Sequence, residues 1–158
     1  VRLFGRDEDR AALPPLRQIK LFSSLTAREL KVVQALRHER QYLAGEIVFD
    51  EGDEGQAIYA VVEGEVEILR ADGNRQQRLA LLGSGEVFGE LALLDQAPRA
   101  AQARAHSDCR LVVFFRADFM SLLETHPKIA SKIALALARH LGGRLRQANA
   151  GARQEGHL

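Results

Sequence analysis

The stretch AIYAVVEGEVEILRADGNRQQRLALLG, Ala57 to Gly83, decides the fold. AIYAVVEG is a short apolar run closed by a glycine. EVEIL alternates with a period of two, the pattern of a half-buried strand. ADGN, between EVEILR and RQQRLALL, is a hairpin turn signal. Similar short runs lie on either side: EIVFD before it and SDCRLVVFF after it, with RLALLG at its own end. Glycines recur at 45, 52, 55, 64, 73, 83, 85 and 89. Many short strands at this spacing predict an antiparallel sandwich or barrel-like roll over residues 41–115.

The flanks read as helices. Residues 1–20 form a charged lead-in that contains Pro14-Pro15 and room for one helical turn. LFSSLTARELKVVQALRHER, Leu21 to Arg40, reads as a helix. Thr26 is its expected N-cap, Glu29 completes a capping box, and Leu30, Val33 and Leu36 mark its apolar face. Residues 116–148 read as two helices. RADFMSLLETHP is a short one stopped by Pro127, and a long one opens with Pro127 near its first position. Ile129, Ile133, Leu137, Leu141 and Leu145 form an i+4 row on the long helix. Ala130, Ala134, Leu135 and Ala138 widen it, so that this helix is expected to pack against two things. Gly142-Gly143 reads either as a hinge or as a sign that the helix ends near Leu141. Residues 149–158 are expected to be a polar, fraying tail.

Composition narrows the classes of function. The 158 residues are 46% hydrophobic and 27% charged, with a net charge of +1, as for a soluble globular chain with no field to hold nucleic acid. The one cysteine, Cys109, excludes an intrachain disulfide and reads as a small buried hydrophobe. No Cys/His group has zinc spacing, and DEGDEG lacks the spacing of an EF-hand. No histidine sits beside a plausible Ser/Asp or metal partner. No apolar run reaches the roughly 20 residues of a membrane span, and no signal peptide opens the chain. A cytoplasmic protein is the expectation, with trimming from a channel or larger receptor left open.

The chemistry concentrates in FGELALLDQAPRAA, Phe88 to Ala101. ELALLD is too short for an ordinary helix but suits one helical turn. Such a turn after Gly89 leaves its first N–H groups free for an anion. Arg99, fixed beside Pro98, adds a forked set of donors suited to phosphate. Ala100 and Ala101 leave space and contribute N–H groups. Glu90 is an acceptor and wants hydroxyl donors, as on a sugar. Phosphate and ribose read within one loop suggest a compact nucleotide.

This stretch, with the upstream AGEIVFDEGDEGQAIYAVVEGEVEIL, resembles the phosphate-binding cassette and β-roll of cyclic nucleotide-binding domains. These occur in protein kinase A regulatory subunits, cyclic-nucleotide-gated channels and the bacterial catabolite activator family. The resemblance covers residues 21–145. It implies an α+β fold: a jelly-roll-like antiparallel β-roll with an N-terminal helix, a short cassette helix and a long C-terminal helix. It implies that Arg99 pairs with the cyclic phosphate and that Glu90 accepts from the ribose 2′-hydroxyl. Gly89 and Leu91 would shape the turn, the N–H groups of Ala92 and Ala100 would meet phosphate oxygens, and Leu79 would contact the base. The long helix would close over the ligand, with Arg144 or Leu145 in place of the activator family's adjacent threonine and serine. Ala100 stands where cGMP-preferring members tend to carry a hydroxyl, which leans towards cAMP.

Three classes of function follow. A sensor module would bind cyclic nucleotide, need no metal, and relay occupancy through the helix to a homodimer partner or another effector. A transcription factor would need a helix-turn-helix after the long helix, and only a short polar tail follows Leu145, so that this chain itself would not bind DNA. An enzyme would need a metal cluster or a placed general base, which the cassette does not offer. The chain could also be the ligand-binding part of a truncated regulator or channel, or a degenerate roll that binds nothing.

Overall fold

The computed structural model describes residues 16–155, with side chains described through Gly151. The helical turn expected within residues 1–15 lies outside the described residues. Two short 3-10 turns, Leu16–Gln18 and Lys20–Phe22, open the fold. Helix α1 follows at Ala27–Gln34. Thr26 caps it: its hydroxyl accepts from Glu29 N at 3.2 Å, and Glu29 Oε1 accepts from Thr26 N at 2.9 Å.

Eight strands come next: β1 His38–Tyr42, β2 Ile47–Phe49, β3 Ala57–Glu63, β4 Val66–Asp72, β5 Arg75–Leu82, β6 Val87–Phe88, β7 Gln102–Ala105 and β8 Cys109–Phe115. They form two antiparallel four-stranded sheets, in the orders β1-β8-β3-β6 and β2-β7-β4-β5. The β4–β5 hairpin turns where ADGN placed it, with Asp72 opposite Arg75 and Gly73 at φ 62°. Helices α2, Arg116–Thr125, and α3, Pro127–Glu155, complete the chain.

Strands β3 and β8 of the first sheet are buried on both faces, which explains why AIYAVVEG runs apolar without alternation. Tyr59 and Val61 point between the sheets, where they meet Val66, Phe88, Ala103, Leu111 and Val113. Ile58, Ala60, Val112 and Phe114 point the other way, onto Phe22, Val33, Ile129, Ala130, Ile133 and Leu137. Phe22 meets Phe114 edge-on at 4.9 Å between centroids. Helix α3 is therefore seated on the roll by its first three turns.

The structure departs from the sequence reading at three boundaries. The helix expected from Leu21 to Arg40 is confined to Ala27–Gln34, and the roll begins at His38 rather than near 41. HERQY is polar because β1 is an edge strand, paired only to β8 and exposed over most of its length. Helix α3 neither ends near Leu141 nor stops at 148, but runs through Gly142-Gly143 to Glu155. Each glycine costs about 1 kcal/mol against alanine. A helix already nucleated and packed gains a hydrogen bond with each added residue, which offsets that cost. Leu145 does not continue the buried row, since it is 64% exposed.

Candidate functional site

Gly89 is the first fixed point. It sits in the left-handed region at φ 71°, where it caps the 3-10 turn Glu90–Leu93. A Cβ at this position would lie 2.6 Å from Arg99 Nη1, so that glycine is needed both for the backbone and for the approach of the guanidinium. Ala92 N donates to Gly89 O at 3.2 Å, so its N–H would serve a ligand only as a shared donor. The N–H groups of Leu91 and Ala100 make no backbone hydrogen bond among the described residues.

Arg99 is held from several directions. Its backbone is pinned to the β2–β3 loop: Arg99 N donates to Asp53 O and Gly52 N donates to Arg99 O, both at 2.8 Å. Pro98 bridges Glu54 in the same loop. The side chain is only 9% exposed. Nη1 donates to Gly89 O at 3.0 Å and Nη2 to Ala57 O at 2.7 Å. The guanidinium lies 4.1 Å from the centroid of the Phe49 ring, with the Tyr59 ring at 5.8 Å. Gly55 leaves it room, since a Cβ there would stand 3.2 Å from Nε. Burial pushes the Arg99 pKa down, while Tyr59, Glu90 and Asp53 draw it up. The group stays cationic. Nε is buried and has no hydrogen-bond partner. A buried, aromatic-backed guanidinium with an unpaired donor fits an anionic ligand.

Glu90 lies beside it and is 2% exposed. Two side chains of α3 meet it. Arg144 Nη1 donates to Glu90 Oε1, and His140 Nε2 lies 3.5 Å from the same oxygen. His140 and Arg144 stand four residues apart, hence on one face of the helix.

Gly89, Glu90, Leu91, Ala92, Arg99, Ala100, Leu79 and Arg144 all line one pocket of about 460 Å³. Its far wall is apolar and comes from the second sheet: Ile68, Leu79, Ala80 and Leu82. Leu79 reaches it through a β-bulge. The register pairs Ile68 with Ala80 and then Leu69 with Arg78, so Leu79 is the extra residue. His140, Arg144 and Gln147 form the α3 side. Arg144, expected against a purine, is held at Glu90 instead. Leu145, the other expected lid contact, is not among the lining residues.

Sequence reasoning missed Phe49, Tyr59, Gly55 and His140. DEGDEG, set aside for lacking EF-hand spacing, supplies Asp53 and Gly52, which anchor Arg99. The one available signal was the i+4 spacing of His140 and Arg144. The aromatic pair comes from two strands and has no local signature.

Comparison with known proteins bears on this geometry. The family model of the cyclic nucleotide-binding domain matches residues 39–126. The cyclic AMP receptor protein of Thermus thermophilus is 40% identical over 122 residues, which are 77% of this chain and 56% of that protein. The crystal structure of the Thermus thermophilus catabolite activator protein superposes with a TM-score of 0.77 at 37% identity, covering 87% of this chain and 63% of that one. The regulatory domain of Toxoplasma gondii PKA, co-crystallised with cAMP, gives a TM-score of 0.62 at 36% identity, over 67% of this chain and 41% of that one. The chain spans little more than half the length of the receptor protein it matches.

Proposed function

The chain belongs to the cyclic nucleotide-binding domain family, and from that premise we propose that it is a cyclic-nucleotide sensor module that binds cAMP at least as well as cGMP. The observation that carries this is the pairing of Arg99 and Glu90 at one end of the pocket with an apolar wall at the other. Arg99 takes the cyclic phosphate, helped by the N–H groups of Ala100 and Ala92. Glu90 takes the ribose 2′-hydroxyl. Leu79, with Ile68 and Leu82, packs on the base. Gly89 and Leu91 shape the turn. The binding unit is residues 21–145.

The output is the position of α3. A ligand shifts that position only by as much as it binds one state better than the other. The pocket is built from both the roll and α3, so the ligand touches both and can supply that difference. A second copy of the chain is one reader of the helix: Leu135 and Leu145 are 51% and 64% exposed on α3. A separate effector is the alternative.

We place the protein among binders rather than enzymes. The cassette holds a phosphodiester in its ground state, and its carboxylate is engaged by Arg144 rather than free to move a proton. Among the described residues no helix is long and apolar enough to cross a membrane.

Titration calorimetry with cAMP and cGMP, followed by chromatography of the recovered nucleotide, tests the proposal. Saturable binding is expected, with cAMP at least as tight as cGMP and the nucleotide unchanged. Ala100→Thr, which adds a hydroxyl beside the guanidinium, should raise relative cGMP affinity by about two- to tenfold, a modest single hydrogen bond. Absence of heat with either nucleotide would mean a degenerate roll, and recovered 5′-nucleotide would mean an enzyme.

A further inference from the structure

Strand β2 carries an irregularity in its register. Ile47 pairs with Arg104 of β7, and Phe49 pairs with Ala103, so β2 advances by two residues while β7 advances by one. Residues two apart on a regular strand share a face. A bulge breaks that rule and re-aims a side chain. Ile47 is accordingly exposed beside Arg104, while Phe49, opposite the fully buried Ala103, packs between the sheets. There it lines the pocket and lies against Arg99.

Three supports then hold the guanidinium. Nη1 donates to Gly89 O and Nη2 to Ala57 O. Two hydrogen bonds leave the plane free to tilt about the line joining their acceptors. The face of the Phe49 ring, its centroid 4.1 Å from Cζ, removes that freedom. A desolvated cation is drawn to a ring face more strongly than an exposed one. The ring is itself fixed, since its centroid lies 5.6 Å from that of Tyr59 and 5.9 Å from that of Phe88. It also closes on the cassette turn, where a Cβ on Gly89 would stand 3.4 Å from Phe49 Cε1.

We propose that Phe49 is a positioning residue for Arg99: its ring fixes the guanidinium plane, so that the buried, unpartnered Nε–H meets one particular exocyclic oxygen of the cyclic phosphate. This rests on the reading of Arg99 as the phosphate partner. The bulge in β2 then belongs to the binding site, because it brings the ring to the guanidinium.

The readout is discrimination between the two phosphorothioate diastereomers of cAMP, in which sulfur, a weaker acceptor, replaces one or the other exocyclic oxygen. Both are titrated by calorimetry, beside cAMP, into the full wild-type chain, Phe49→Leu and Phe49→Tyr, with melting curves to establish folding. The wild type should favour one diastereomer by about fivefold, the worth of a modest hydrogen bond. Phe49→Leu should bind cAMP about five- to tenfold more weakly, through lost support and preorganisation. Its preference between diastereomers should fall below about twofold, and Phe49→Tyr, which keeps the ring, should retain the preference. On an Arg99→Ala background, Phe49→Leu should change cAMP affinity by less than about twofold, since the partner it acts through is gone. A Phe49→Leu protein that keeps the wild-type preference would overturn the proposal, leaving the ring as a mere wall of the pocket. A wild type that does not distinguish the diastereomers would also overturn it. Arg99→Ala with wild-type affinity would instead remove the phosphate reading, and this proposal with it. Should Phe49→Leu fail to fold, the Nε–H resonance of Arg99, assigned by its loss in Arg99→Ala, decides on the wild type alone. The proposal expects it to be ring-shifted and slow to exchange before cAMP is added, and an unshifted, fast-exchanging signal would overturn it.

Discussion

Among the described residues two glutamates are buried, one on a strand of the second sheet and one in the cassette turn, and their surroundings differ. Glu67, on β4, is 6% exposed and Glu90, in the cassette turn, is 2% exposed. Glu67 is saturated from within its own sheet. Arg104 on β7 donates twice to Oε1, at 2.9 and 2.7 Å, and Arg78 on β5 donates twice to Oε2, at 3.1 and 2.9 Å. The hydrogen bonds from Arg104, and after them those from Arg78, hold the Glu67 carboxyl below its usual range against the opposing pull of burial. Glu90 is met at one oxygen only, by side chains from a helix packed elsewhere on the roll. A carboxylate with both oxygens filled by neighbouring strands fastens a sheet. A carboxylate with one oxygen left open, in a pocket, can accept from a ligand, the role proposed for Glu90.

The largest expected effect sharpens the ligand side. Arg99→Ala should cost about 2–5 kcal/mol of cAMP binding, which is a loss of roughly 30-fold or more, with the fold retained. Calorimetry beside a melting curve separates the two. An unchanged affinity would remove Arg99 from the phosphate site.

The sheet side should respond in stability instead. Glu67→Gln removes a charge that two arginines share and should lower unfolding free energy by about 1–3 kcal/mol in urea. The partial exposure of both arginines keeps this below the loss expected for a fully buried pair. If Glu67→Gln melts like the wild type, the contrast between the two glutamates fails on its structural half.

Much of this was legible in the sequence, because it rests on local pattern. The β4–β5 hairpin followed from ADGN, and the α1 cap from Thr26 and Glu29. Gly89, Glu90, Arg99 and Ala100 were close enough along the chain to suggest one loop. What the sequence hid is long-range. β1 carried no apolar alternation because its partner lies only on one side. β6, at two residues, is below the length at which a period shows, and the two alanines of QARA in β7 gave no signal although both are buried. The aromatic backing of Arg99 joins Phe49 and Tyr59 across two sheets. The contact of Arg144 with Glu90 spans 54 residues and depends on α3 continuing through a glycine pair. Local propensity gave that pair equal weight as a hinge or a helix end.

A third carboxylate should give the smallest effect. Glu29 lies at the surface end of α1, where Lys132 of α3 donates to it at 2.6 Å. That hydrogen bond, and then the one from the Thr26 backbone, lower its pKa from 4.5 to about 2. A carboxylate with a depressed folded-state pKa contributes stability above its unfolded value and loses it as pH falls through the folded one. Stability should thus decline between about pH 4.5 and 2. Lys132→Met should flatten that limb slightly. Identical acid limbs in thermal melts of the two proteins would show that the pair contributes nothing.

The most direct test sets the two glutamates side by side. Glu90→Gln and Glu67→Gln are titrated with cAMP by calorimetry under one condition, together with the wild type. The account predicts that Glu90→Gln binds about tenfold more weakly, the loss of one charge-assisted hydrogen bond, while Glu67→Gln, once folded, binds as the wild type does. Equal affinity of Glu90→Gln and the wild type would contradict it.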